Sequence, residues 1–181
     1  TYLSSMGRIV HAYGYTWFVQ TGMGADPAET GYANSEHIYR MSDAEGAVPE
    51  EDAMVPAYIY DGINQLTVFM LAPCGDYVYF CKAGPGREYR LMRALIGTGE
   101  TEDLGADMVI SSRMGGIPSR AGDRLCFRRI YENGMLYQTE TCMLDLTTGT
   151  WERYAPDLGR VTGEQVRVEA ISEEYIYFTR S

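Results

Sequence analysis

Lysine is nearly absent from this chain, with Lys82 the single example among fifteen basic residues, and histidine occurs only at His11 and His37. The basic residues are outnumbered by 25 acidic ones, which leaves a net charge of −10. Such a chain repels a phosphate backbone, so nucleic acid is not an expected partner. No basic residue falls between Arg40 and Lys82, while Asp43, Glu45, Glu50, Glu51, Asp52, Asp61 and Asp76 do. That run reads first as a solvated face and second as a surface for a cation or a basic partner. Uninterrupted apolar runs of spanning length are missing too, so no direct membrane insertion is expected. Nor does the start at Thr1 resemble a signal peptide. The four cysteines, Cys74, Cys81, Cys126 and Cys142, form no Cys-x-x-Cys pair and lie far from both histidines in sequence. A structural zinc site needs close pairs at short spacing, so no metal and no cofactor are expected, and buried free thiols are the default reading. Amphipathic helical periodicity is also lacking. The best stretch, residues 25–35, is broken by Pro27 and Gly31 and reads as a loop.

What is present is a repeat. Tyr13-Gly14-Tyr15-Thr16-Trp17-Phe18, Gly75-Asp76-Tyr77-Val78-Tyr79-Phe80, Gly122-Asp123-Arg124-Leu125-Cys126-Phe127 and Glu173-Glu174-Tyr175-Ile176-Tyr177-Phe178 are four versions of one segment. Each is a polar or glycine turn followed by aromatic and β-branched residues, which favour strands. Ile38 to Met41, Leu91 to Ala94 and Met143 to Leu146 supply a second strand after three of them, and each runs into a glycine turn. Asp52 to Val55 and Ala106 to Val109 supply a third strand-like piece in two. From Tyr15 the steps to Tyr77, Arg124 and Tyr175 are 62, 47 and 51 residues, the length of one four-stranded propeller blade with variable loops. In Tyr77-Val78-Tyr79-Phe80 alternate residues point to opposite faces, and both faces are large and apolar. A strand with one wet face would alternate instead. The expected fold is therefore all-β, with about three and a half antiparallel four-stranded β-propeller blades, open or part of a larger propeller. The repeat boundaries fall at roughly 7–59, 60–108, 109–159 and 160–181, the last partial. A β-sandwich or barrel is the alternative. Trp17, Phe18, Tyr79, Phe80, Phe127, Tyr177 and Phe178 are the expected buried layers between sheets.

Glycine-acid, Tyr-x-Tyr-Phe, a spacer, then Leu-Tyr-Arg and a glycine turn resembles the repeats of uncharacterised bacterial β-propellers of the low-density-lipoprotein-receptor-type and TolB-like style. Asp145 to Trp151 is similar to the Asp…Thr-x-x-Trp turn of kelch blades. The resemblance implies a binding or scaffold role, often in extracytoplasmic bacterial proteins. The third repeat departs from it with Arg124 and Cys126 in place of aromatics, and the fourth stops at Ser181.

Chemistry is harder to find. Gly-x-Ser-x-Gly, His-Glu-x-x-His, phosphate-loop and dinucleotide fingerprints are all missing, so no catalytic set is assigned. Glu50-Glu51 and Glu173-Glu174 are adjacent in strands or turns and face opposite ways, which suits a glycosidase poorly. The long segment from Gln20 to Glu36 and the aromatics Tyr32 and Trp151, with His37, are the candidate binding residues. The expected function is a noncatalytic binding or sensing module within a larger extracytoplasmic protein. Its partner would be a protein or carbohydrate, a second copy, or the rest of a larger propeller. The alternative is a propeller-type hydrolase or lyase using His11 beside a carboxylate. Asn133-Gly134 reads as a two-residue hairpin turn. That turn would set Cys126 opposite Thr141 and put Cys126 and Cys142 on opposite faces, unable to bond.

Overall fold

The structure, a computed structural model, describes residues 9–21, 36–48, 50–51, 68–83, 89–108, 118–133, 136–154 and 166–180. These hold fourteen strands and no helix. Four antiparallel sheets follow one another along the chain, each a simple meander, and none closes on itself among the described residues. The first sheet is β1 (Ile9–Ala12), β2 (Tyr15–Thr21), β3 (Glu36–Ser42) and β4 (Glu50–Glu51); the second is β5 (Val68–Cys74), β6 (Tyr77–Ala83), β7 (Tyr89–Leu95) and β8 (Thr101–Met108). In the third, β9 (Ser119–Ala121), β10 (Arg124–Asn133), β11 (Leu136–Asp145) and β12 (Trp151–Arg153) follow in order, and β13 (Val166–Ile171) with β14 (Ile176–Arg180) makes the fourth. The chain divides into two compact units, Thr1–Gly105 and Ala106–Ser181.

The sequence repeat is a repeat of hydrogen bonds. Ala12 pairs with Tyr15, Cys74 with Tyr77 and Ala121 with Arg124, so each opening turn holds two residues. The carbonyl of the second turn residue then accepts an N–H from just beyond the third strand. Asp43 donates to Gly14 at 3.0 Å, Ile96 to Asp76 at 2.8 Å and Leu146 to Asp123 at 2.8 Å. Leu95 donates to Glu100 while Gly99 donates back to Leu95; Asp145 and Thr150, Gly149 and Asp145 repeat that pattern. Glycine closes this second turn at Gly46, Gly99 and Gly149 with φ of 78°, 71° and 76°, a region where a Cβ is strained. In the third sheet the side chain of Asp145 also accepts bonds from the Thr147 N–H at 2.8 Å and its hydroxyl at 2.6 Å. These Thr147 bonds hold the Asp145 carboxyl below its ordinary range.

Superposing the repeats by register gives each sheet two unlike faces. The front face carries Thr16 and Phe18, Val78 and Phe80, Leu125 and Phe127, then Ile176 and Phe178. The back face carries Tyr15 and Trp17, Tyr77 and Tyr79, Arg124 and Cys126, then Tyr175 and Tyr177. Four of the five phenylalanines occupy one front-face position. Within the first unit, Val10, Trp17 and Ile38 of the first sheet's back face pack with Leu71 and with Val78, Phe80 and Ala94 of the second sheet's front face. Within the second unit, Cys126 and Met143 of the third sheet's back face pack with Val168, Ile171 and Ile176 of the fourth sheet's front face. Ile171 there donates its N–H to Ser119 Oγ at 3.1 Å. Back against front is thus the packing rule, seen twice in separate places.

Burial agrees with the expectation for Trp17, Tyr79, Phe80 and Phe127, all at most 2% exposed. Tyr79 and Phe80 point to opposite faces, so β6 is buried on both sides. Phe18 is half-buried. Tyr177 and Phe178, expected inside, are 54% and 43% exposed. Their sheet has only two strands among the described residues, so no neighbouring strand shields β14.

The third-sheet hairpin corrects a second expectation. Asn133 pairs with Leu136, a register different from the one an Asn133-Gly134 turn would set. Cys126 consequently faces Met143, not Thr141, while Cys142 faces Phe127. The shift moves the register by two, which preserves the faces. Cys126 and Cys142 still point oppositely, and all four thiols are free and buried. Burial pushes the thiol of Cys126 up to about 11 and that of Cys142 to about 12, and raises that of Cys81 as well.

Candidate functional site: the front face of the first sheet

Arginines fill the back faces of the first two sheets where a core would otherwise meet solvent. The guanidinium of Arg40 lies 4.4 Å from the centre of the Tyr15 ring and 5.6 Å from that of Trp17. At the matching place Arg93 lies 4.4 Å over Tyr77, bonds to Tyr79 and reaches Glu102 at 2.7 Å. Burial raises the phenol of Tyr79 above its ordinary range, and the bond to Arg93 offsets part of that rise. Cation–π contact neutralises the cost of bringing these guanidinium groups against rings. This is scaffold chemistry, and it recurs from sheet to sheet.

The front face of the first sheet breaks the repeat. Val78 and Leu125 are replaced there by Thr16. Ile96 and Leu146, which donate the recurring turn hydrogen bond, are replaced by Asp43. His11 stands where Pro73 and Arg120 stand in the next two sheets. These three polar side chains meet. His11 Nδ1 lies 3.4 Å from Asp43 Oδ1 and 3.5 Å from Thr16 Oγ1, and the Thr16 hydroxyl donates to Asp43 Oδ1 at 3.4 Å. Beside them are Ile9, 45% exposed, and the half-buried Phe18, whose ring stacks on Tyr39 at 5.7 Å and 19°. The matching positions of the second sheet, Pro73, Val78 and Phe80, are all buried. Positions that are buried in the second sheet are here exposed or half-buried, while Tyr39, stacked on the Phe18 ring, stays enclosed at 2%.

At the tip of the same β1–β2 turn stands Tyr13, 64% exposed and in a left-handed conformation with φ of 57°. The matching positions are Gly75 and Gly122, with φ of 56° and 55°. A bulky residue there costs about 1 kcal/mol or more that glycine avoids.

The His11–Asp43 pair does not make a catalytic relay. One ring nitrogen, Nδ1, faces both the carboxylate and the Thr16 hydroxyl, and a single nitrogen cannot donate to one while accepting from the other. A relay engages the two nitrogens separately. The side chains of His11 and Asp43 are also 65% and 37% exposed, so water screens any charge they stabilise.

Of the candidate binding residues read from sequence, Tyr32 lies outside the described residues, as does most of the 20–36 segment. His37 lies within β3 opposite Gln20, not ahead of the strand. Trp151, expected as an exposed contact, is half-buried in β12. Its ring meets Phe127 edge-on at 6.1 Å and carries the Arg129 guanidinium at 4.9 Å, with Glu140 bonded to that same Arg129 at 2.8 Å. It belongs to the scaffold. Thr16 and Asp43 were missed, although aligning Thr16 with Val78 and Leu125 already marks it as the odd member. Asp43 was absorbed into an acidic run. Among the described residues no three His, Cys, Asp or Glu side chains gather as a metal site, and no helix is long and apolar enough to cross a membrane. No family of known proteins, no curated protein and no solved structure matches the chain.

Proposed function

We propose that the four sheets are blades of a β-propeller and that the chain acts as a noncatalytic binding module, with the front face of the first sheet as its contact surface. One observation carries this reading: Thr16 and Phe18 are half-buried, and His11 and Asp43 exposed, on the face where Val78, Phe80, Leu125 and Phe127 are buried in the second and third sheets. Ile9 and Phe18 supply apolar area, and His11, Thr16 and Asp43 supply direction. A surface of apolar centre and polar margin is suited to a macromolecular partner. Loose contacts of 3.4 to 3.5 Å leave the lone pairs of Asp43 and Thr16 accessible to a partner's donors. A place among extracytoplasmic bacterial propellers accords with the sequence resemblance.

Hydroxyl-radical footprinting of the purified chain, diluted until it is monomeric, tests the surface. Ile9 and Phe18 should be oxidised far faster than Phe80 and Phe127. Equal protection of all four would mean that the face is covered within the chain, and the reading would fail.

A further inference from the structure

We infer that the partner of this face is the back face of the fourth sheet in a second copy of the chain. The inference rests on the front face of the first sheet being a contact surface, and it names what covers it. Inside the chain a back face packs on the next front face, once between the first and second sheets and once between the third and fourth. The fourth sheet's back face ends without such cover: Tyr175 and Tyr177 are 63% and 54% exposed. By the same register Tyr175 matches Tyr15, and Tyr177 matches Trp17. Tyr15 and Trp17 pack in the cluster that holds Val78 and Phe80. The residues answering to Val78 and Phe80 on an open front face are Thr16 and Phe18.

The substitutions are complementary. Trp17 is replaced by Tyr177, which adds a hydroxyl to the back face. Val78 and Ile96 are replaced by Thr16 and Asp43, which add acceptors to the front face. A tyrosine hydroxyl buried without a partner is costly, and an acceptor opposite it removes that cost. His11 likewise comes opposite the acidic turn of Glu173 and Glu174, both exposed. An internal sheet pair needs none of these groups, because Val78 and Ile96 have no polar atoms to satisfy.

The contact is head to tail, so each copy offers one face of each kind. A front face of one copy then meets a back face of another, so copies associate through unlike surfaces.

Sedimentation equilibrium of the purified chain and of two variants decides the matter. Ile9→Asp and Tyr177→Asp each place a charge on an exposed side chain, so neither threatens a core. The wild type should self-associate. Each variant alone should be a monomer, with dissociation constants raised at least about tenfold. An equimolar mixture of the two should regain a heterodimer, because one back face and one front face remain intact. A monomeric wild type, a variant that still dimerises as tightly, or a mixture that fails to associate overturns the inference. In the monomer case, footprinting separates the readings. Oxidation of both Ile9 and Tyr177 leaves the front face a contact surface for another partner. Protection of both removes that reading as well.

Discussion

Phe80 and Phe178 are the same residue of the repeat in two environments, one fully enclosed and one 43% exposed. Replacing Phe80 with alanine should cost about 3–5 kcal/mol of unfolding free energy in urea titrations, the range for an enclosed aromatic. The same change at Phe178 should cost well under half of that, and equal losses would contradict the exposure difference. The thiols follow from burial in the same way. In the unfolded chain they ionise near 9.0, whereas Cys126 and Cys142 in the folded chain are held up to about 11 and about 12. The folded state therefore keeps protons that the unfolded state has released. Stability is fully present below pH 9 and falls as the pH rises through 9 towards 12. Urea midpoints measured across that range should decline more steeply for the wild type than for Cys142→Ala. Thiol reagents at neutral pH should label none of the four cysteines until the chain is unfolded, and then label all four.

At the level of strands and turns, the opening turn of each sheet places a left-handed residue at Tyr13, Gly75 and Gly122. Tyr13→Val should lose about 1–2 kcal/mol, because a β-branched residue is poorest in that region, while Tyr13→Asn should be neutral or stabilising. Gly149→Ala, at φ of 76°, should lose about 1 kcal/mol or more by the same measure, thermal or chemical. These turns, and the strands between them, were legible in the sequence because local chemistry decides them: glycine and aspartate at the turn, β-branched and aromatic residues after it. Both faces of β6 could be read from Tyr77 to Phe80 for that reason. The register of the β10–β11 hairpin was not, since ten cross-strand pairs from Arg124 to Asn133 outweigh one turn preference. Nor were Tyr177 and Phe178 legible as exposed. Their residue types are those of a core strand, and what leaves them open is the lack of a third neighbour among the described residues, a fact of tertiary arrangement. Asp43 joined His11 only through the fold, 32 residues apart in sequence and 3.4 Å apart in space.

For the molecule as a whole, self-association predicts that heat stability depends on protein concentration. The melting temperature of the wild type should rise as the chain is concentrated, and that of Tyr177→Asp should stay constant. Among the described residues the sheets also differ in completeness, four strands against two in the last. Hydrogen exchange should accordingly be slowest in β6 and β10 and fastest in β14, where one side of the strand has no ladder among the described residues. The unlike faces of each sheet carry one more implication, for how such a chain can change over generations. Because every sheet presents the same kind of front and the same kind of back, a duplicated repeat inserted between two sheets finds a matching neighbour on either side. The outermost faces are untouched by such an event. Gain or loss of whole repeats then alters the number of sheets while the outermost faces are inherited intact, so length and outer surface are free to evolve separately.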